Sequence, residues 1–209
     1  MEPLIKICGI TNTEDALFAA KLDVWALGFV FAPSPRRVSP DEVKKIIEKL
    51  PPYIARVGIF VNETPENIKK IADSCKLDIV QLHGEESPRI CKDIKKIIKV
   101  IKAFRVKAND SLNKIRDYEV DLCLLDACSD KSYGGTGEKF DWELARNAKK
   151  YCKNIILSGG LDPENIIEAI ETVQPYAVDV SSGVEISPGK KDKLLVEDFV
   201  SKIKNQRAK

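Results

Sequence analysis

The sequence predicts an α/β protein in which eight parallel strands close into a (β/α)8 barrel. Three observations lead there. Short apolar stretches alternate eight times with segments of helical period. The strands are almost continuously apolar, as a parallel sheet covered by helices requires. The 209 residues, 44% of them hydrophobic, suffice for one well-buried core and are short for two, so a single domain over residues 1–209 is expected.

The strands, rich in Val, Ile, Leu and Phe, fall at Leu4 to Cys8, Ala26 to Phe31, Ala55 to Val61, Asp78 to Leu82, Lys99 to Phe104, Asp121 to Asp126, Asn154 to Ser158 and Ala177 to Val180. Helical segments lie between them at Glu14 to Leu22, Pro40 to Leu50, Pro65 to Cys75, Pro88 to Lys96, Asp110 to Tyr118, Trp142 to Tyr151, Pro163 to Val173 and Lys193 to Lys204. Four helices open with a capping residue followed by proline: Ser39-Pro40, Thr64-Pro65, Ser87-Pro88 and Asp162-Pro163. Ser39 and Glu42 also have capping-box spacing. A count of eight favours closure over an open doubly wound sheet, and no Gly-x-Gly-x-x-Gly follows the first strand.

Composition narrows the function. Lys plus Arg (34) nearly balance Asp plus Glu (32), and no basic block is interleaved with aromatics, so nucleic acid is not an expected partner. No apolar run approaches a membrane span, and the N-terminus has no signal-peptide pattern, so the cytoplasm is the expected location. The cysteines Cys8, Cys75, Cys91, Cys123, Cys128 and Cys152 form no C-x-x-C pair, which fits reduced thiols and neither a zinc site nor a disulfide framework.

In such barrels function gathers at the C-terminal strand ends. The seventh and eighth strands run into Ser158-Gly-Gly160 and Ser181-Ser-Gly183, whose small residues offer bare backbone amides to an anion. A phosphorylated small molecule is therefore the expected ligand. Alternation places Lys6 and Cys8 toward the barrel axis, where an ammonium beside a thiol would favour the thiolate. The plainer alternative is that Cys8 is a small buried apolar residue, which is the expectation for Cys75, Cys91, Cys123 and Cys152.

Asp126 ends the sixth strand on the inward face, where partial burial would let its carboxyl hold a proton and act as an acid; a helix cap or solvated charge is the alternative. Gln81, His83, Asp179 and Ser181 face inward by the same alternation and suggest a site or its support. His83, the one histidine, could equally be structural. Arg36 and Arg37 sit beyond the second strand, where a guanidinium could clamp a carboxylate. Gly134-Gly-Thr-Gly137, after the sixth strand, could be a lid or a second lining of the phosphate pocket.

Together these segments resemble the phosphoribosylanthranilate isomerase family of tryptophan biosynthesis, which has a TIM-barrel fold: Lys6-Ile-Cys-Gly-Ile-Thr11, Gly28-Phe-Val-Phe31 with Ser34-Pro-Arg36, Val57-Gly-Ile-Phe-Val-Asn62, Val80-Gln-Leu-His-Gly84, Leu124-Leu-Asp126, Gly134-Gly-Thr-Gly137 with Phe140-Asp-Trp142, and the two C-terminal segments. The resemblance implies an Amadori rearrangement of N-(5-phosphoribosyl)anthranilate to 1-(2-carboxyphenylamino)-1-deoxyribulose 5-phosphate, with no metal or organic cofactor. It implies Asp126 as the acid on the ring oxygen and Cys8 as the base at C2′. Arg36 would hold the anthranilate carboxylate, the backbone of Gly159, Gly160, Ser182 and Gly183 the phosphate, and Asp179 would be a further site residue. The loop after the second strand departs from the family: Ala32 replaces an aromatic, one residue is missing and Arg37 replaces a Tyr, so either arginine could meet the substrate.

Two other readings keep the barrel. One is another phosphosugar enzyme, either the related isomerase of histidine synthesis, which would want an aspartate where Cys8 stands, or indole-glycerol phosphate synthase, for which Lys6 and Lys102 are candidate acids. The other is a catalytically silent binder of phosphometabolites. The chain is expected to act as a monomer or homodimer, and no residue pattern selects between them.

Overall fold

The computed structural model describes residues 2–106, 112–126 and 142–205. Eight parallel strands hydrogen-bond in chain order and close on themselves: β1 (Leu4–Cys8), β2 (Ala26–Val30), β3 (Ala55–Phe60), β4 (Ile79–Leu82), β5 (Lys99–Arg105), β6 (Leu122–Asp126), β7 (Ile155–Ser158) and β8 (Ala177–Val180). Closure is made by β8 against β1, with Lys6 beside Asp179 in register. Closing the ring leaves no unpaired sheet edge.

Side chains divide by strand parity. Ala26, Val57, Ile79, Ile101, Ala103, Leu122, Leu124, Ile156 and Ala177 fill the barrel interior. Their neighbours in sequence, such as Ile5, Ile7, Leu27, Phe29, Val80, Leu125 and Leu157, point outward into a second core shared with the helices. This parity determines which residues at the strand ends can line the mouth.

The helices are α1 (Thr13–Lys21), α2 (Pro40–Ile47), α3 (Pro65–Cys75), α4 (Pro88–Lys95), α5 (Trp142–Ala148), α6 (Ile166–Val173) and α7 (Lys193–Lys204). The expected caps form: Ser39, Thr64 and Ser87 each accept an amide of the first turn, and the Ser39–Glu42 capping box is complete. Asn12, unanticipated, caps α1 by accepting the amide of Asp15 at 2.8 Å. Asp162 accepts the amides of Glu164 and Asn165, although regular helix starts only at Ile166 rather than Pro163. Helices α1, α2, α4 and α5 end one to three residues sooner than expected.

Of the fifth expected helix, Lys114–Asp117 form a 3-10 turn, and residues 110–111 lie outside the described residues. So do Gly134-Gly-Thr-Gly137, Phe140, Asp141 and Cys128. Beyond β8 a 3-10 turn, Ser182–Val184, leads into a small antiparallel hairpin of β9 (Glu185–Ser187) and β10 (Lys190–Lys191), which strand patterning did not anticipate because its strands are too short to show a period. Among the described residues no helix is long and apolar enough to cross a membrane.

Candidate active site

Cys8 and Asp126 both end their strands on the inward face, as alternation predicts. The ring order β6, β7, β8, β1 puts the ends of β7 and β8 between them on the shorter way round. Those are the two strands that lead into the glycine-rich segments.

Around Cys8 the packing is close. The thiol lies against the backbone of Gly28, where a Cβ would sit 2.8 Å from Sγ, so only glycine on β2 leaves room for it. Beneath the thiol, Lys6 is 0% exposed and its Nζ donates to Asp179 Oδ1 at 2.7 Å. Burial disfavours the ammonium, but the charge and hydrogen bond of Asp179 outweigh it and hold Lys6 above its ordinary value. Ser158 Oγ donates to the second oxygen of Asp179 at 3.4 Å.

Lys6 favours the Cys8 thiolate, as expected, but burial outweighs it. Burial pushes the Cys8 thiol up; the nearby charges of Lys6 and Lys191 pull it down only partly, and Asp179 adds to the rise. Burial is the larger effect, so the thiol form is favoured at rest.

Asp126 Oδ2 lies 3.2 Å from His83 Nε2, and His83 Nδ1 lies 2.9 Å from Gln81 Nε2. The three side chains form a line from the buried wall of β4 to the mouth. Gln81 is 1% exposed and its contact within the chain is His83, so it sits behind the mouth rather than at its surface.

Arg36 faces the site and Arg37 does not. Arg36 Nε and Nη2 donate to the Glu185 carboxylate at 2.9 and 2.6 Å, and its Cδ lies beside Gly9, directly after Cys8. That hydrogen bonding raises Arg36 further, and the two cations Arg36 and Lys191 hold Glu185 low despite its burial. Lys191 reaches Glu185 at 2.8 Å and the Ser181 carbonyl at 3.1 Å; its own burial lowers it. Arg37 is exposed and lines a groove of about 350 Å³ with Glu42, Glu63 and Asn67, outside the barrel.

The two glycine-rich segments meet. Gly183 packs so tightly on Leu161 that a Cβ would stand 2.0 Å from its carbonyl oxygen. Among the described residues, no backbone carbonyl outside the regular elements accepts the amides of Gly159 or Gly160, and Ser182 and Gly183 open the 3-10 turn after β8. Backbone amides on adjacent turns of this kind can receive an anion.

Three charged residues of this rim were not anticipated. Arg105 extends β5 by one residue, pairs in register with Asp126 and stands exposed on the same inward face; the parity of Ile101 and Ala103 was the available signal. Glu185 and Lys191 come together through the hairpin, and nothing in their spacing marks it. Lys102, once a candidate acid, donates to the carbonyls of Leu82, Gly84 and Ala103 and to Glu86 at 3.0 Å, which is the work of a buried structural cation. Cys75, Cys91 and Cys123 are buried as expected, and Cys152 is half-buried.

A closed barrel whose rim joins an amide cradle, two inward-facing proton-transfer candidates and a clamped arginine defines the class: a barrel enzyme for a phosphorylated sugar. The family model for N-(5'-phosphoribosyl)anthranilate (PRA) isomerase matches residues 5–202, and the chain belongs to that family. It is 52% identical over 201 residues to the N-(5'-phosphoribosyl)anthranilate isomerase of Geobacter sulfurreducens, covering 96% of this chain and 98% of that one. The phosphoribosyl anthranilate isomerase structure from Thermotoga maritima matches with a TM-score of 0.92 at 46% identity, over 97% of this chain and 99% of that one. Another phosphoribosyl anthranilate isomerase structure, in complex with reduced 1-(o-carboxyphenylamino)-1-deoxyribulose 5-phosphate, matches at 0.88 and 44% identity, over 97% and 99%. The chain is an isomerase of tryptophan biosynthesis.

Proposed function

We propose that this isomerase works by an acid and a base facing each other across an anchored phosphosugar, with Asp126 as acid and Cys8 as base. The observation that carries the reading is the ring order: the amide cradle at the ends of β7 and β8 lies between the strand that bears Asp126 and the strand that bears Cys8. A ribose whose 5-phosphate sits on Gly159, Gly160, Ser182 and Gly183 has its ring within reach of both. Arg36, with Nη1 not engaged by Glu185, meets the anthranilate carboxylate.

Asp126 gives its proton to the ring oxygen as the C1′–O bond breaks, leaving an iminium at C1′. The iminium acidifies C2′, whose proton passes to the Cys8 sulfur while the C–H electrons form the C1′–C2′ double bond of an enolamine. Loss of the C2′ hydroxyl proton and protonation at C1′ give the aminoketose. Because burial favours the thiol at rest, Cys8 first gives its proton to solvent, and the ammoniums of Lys6 and Lys191 favour the thiolate that remains. Asp179 keeps Lys6 in place.

The half-buried and buried cysteines, unpaired among the described residues, support a reducing, cytoplasmic setting. The test is the fluorescence decay of N-(5-phosphoribosyl)anthranilate, generated in situ, with wild type, Cys8→Ser and Asp126→Asn. Each variant is expected to lose roughly 10²–10⁴-fold in kcat, the usual worth of a positioned acid or base. Near wild-type decay in either variant removes that residue from its role.

A further inference from the structure

We propose that Gln81 is the positioning residue of the acid: its amide decides which nitrogen of His83 carries a proton, and thereby which oxygen of Asp126 offers its proton to substrate. The inference rests on the reading of Asp126 as the acid.

The argument begins with an orphan. Gln81 is 1% exposed, and its Oε1 is buried with no hydrogen-bond partner. Rotating the amide by half a turn would bring Oε1 to His83 and leave the NH2 group in the orphan place. Two unsatisfied buried N–H groups are worse than one N–H and one acceptor, because orphaned N–H groups are the rarer of the two. The amide therefore points its Nε2–H at His83 Nδ1, across 2.9 Å.

The rest follows from the chemistry of imidazole. A nitrogen that accepts carries no proton, so neutral His83 has its proton on Nε2. That N–H donates to Asp126 Oδ2 across 3.2 Å. When Asp126 carries the proton that its proposed role requires, the oxygen that accepts from His83 is the carbonyl oxygen, and the acidic proton lies on Oδ1. With the other tautomer, Nε2 would be an acceptor and would draw the proton of Asp126 onto Oδ2, toward His83 and away from the substrate. The same N–H stays in place to stabilise the carboxylate once the proton has gone.

The charged neighbours leave this line undisturbed. Lys102 on β5 is engaged by the carbonyls of Leu82, Gly84 and Ala103 and by Glu86, and Glu86 in turn accepts from the amides of Asn62 and Gly84. These contacts fix the chain on both sides of His83. Arg105, beside Asp126 in register, is the one charged side chain of β5 at this end that shares its inward face. On the other flank of Asp126 the register partner is the neutral Ser158.

His83 is the only histidine in the chain, so its two ring nitrogens can be read by long-range 1H–15N NMR without assignment ambiguity. In its neutral form, wild-type His83 is expected to show a protonated Nε2 and a bare Nδ1. Gln81→Met, which keeps the length and removes the donor, is expected to populate both tautomers and to lower kcat about 10–100-fold, the usual effect of removing a partner that orients a site residue, with KM nearly unchanged. In a His83→Asn background the Gln81→Met change is expected to have no further effect. A proton on Nδ1 in wild type overturns the proposal, whether or not the variant folds. So does Gln81→Met with wild-type tautomer and kcat, or an equal loss when His83 is absent. Failure of the wild type to turn over N-(5-phosphoribosyl)anthranilate would instead remove the isomerase reading and leave the tautomer result standing.

Discussion

Asp179→Asn is the most informative perturbation of the buried floor of the site. It keeps shape and removes the charge that compensates Lys6, which is 0% exposed and bonded at 2.7 Å. Removing one partner of a buried pair leaves the other charge uncompensated, at a cost of about 3–5 kcal/mol. At roughly 2–4 °C per kcal/mol for a chain of this size, the melting temperature should fall by about 6–20 °C. Lys6 is held above 10.5, so the stability it contributes is fully present at neutral pH and is lost only as pH rises through that higher folded value. Replacing both partners, as Lys6→Met with Asp179→Leu, should be less destabilising than either single change, because no lone charge remains. Urea denaturation at neutral pH measures all four corners of the cycle. A cost below about 1 kcal/mol for Asp179→Asn, or a double variant that simply sums the singles, would refute the view that Lys6 is held by this one carboxylate.

Three further outcomes are expected. Arg36→Ala should raise KM strongly, while Arg37→Ala, altering an exposed side chain outside the barrel, should leave steady-state kinetics unchanged; the reverse pattern would transfer the carboxylate contact to Arg37. Far-ultraviolet thiolate absorbance that is lost in Cys8→Ser should appear in the free enzyme only above pH 9.0, since burial raises this thiol; titration of that signal below neutrality would contradict the geometry. Timed alkylation with mass spectrometry should label Cys152 before Cys8, because the hydrogen bond from Cys123 lowers the Cys152 thiol while burial raises that of Cys8; faster labelling of Cys8 would contradict both directions.

Much of the site was legible because strand parity is a local property. Lys6 and Cys8 face inward, as do Gln81, His83, Asp126 and Asp179, since a period of two relates each to the apolar interior residues before it. The electrostatics were not legible in the same way. The thiolate expected at Cys8 is opposed first by burial and then by Asp179, which lies 173 residues from Lys6 and arrives only when β8 closes on β1. Arg36 was separated from Arg37 by Glu185, which the short β9–β10 hairpin brings beneath it.

The sequence by itself determined the eight-fold alternation, most helix starts and the faces of the strands, because capping, proline placement and hydrophobic period act within a few residues. Only the tertiary structure decided which charges lie together, which arginine meets Glu185 and which side chains flank His83. Those outcomes turn on distances of a few ångströms between strands far apart in the chain, and on burial, which makes each such contact strong enough to reverse what a side chain would do in water.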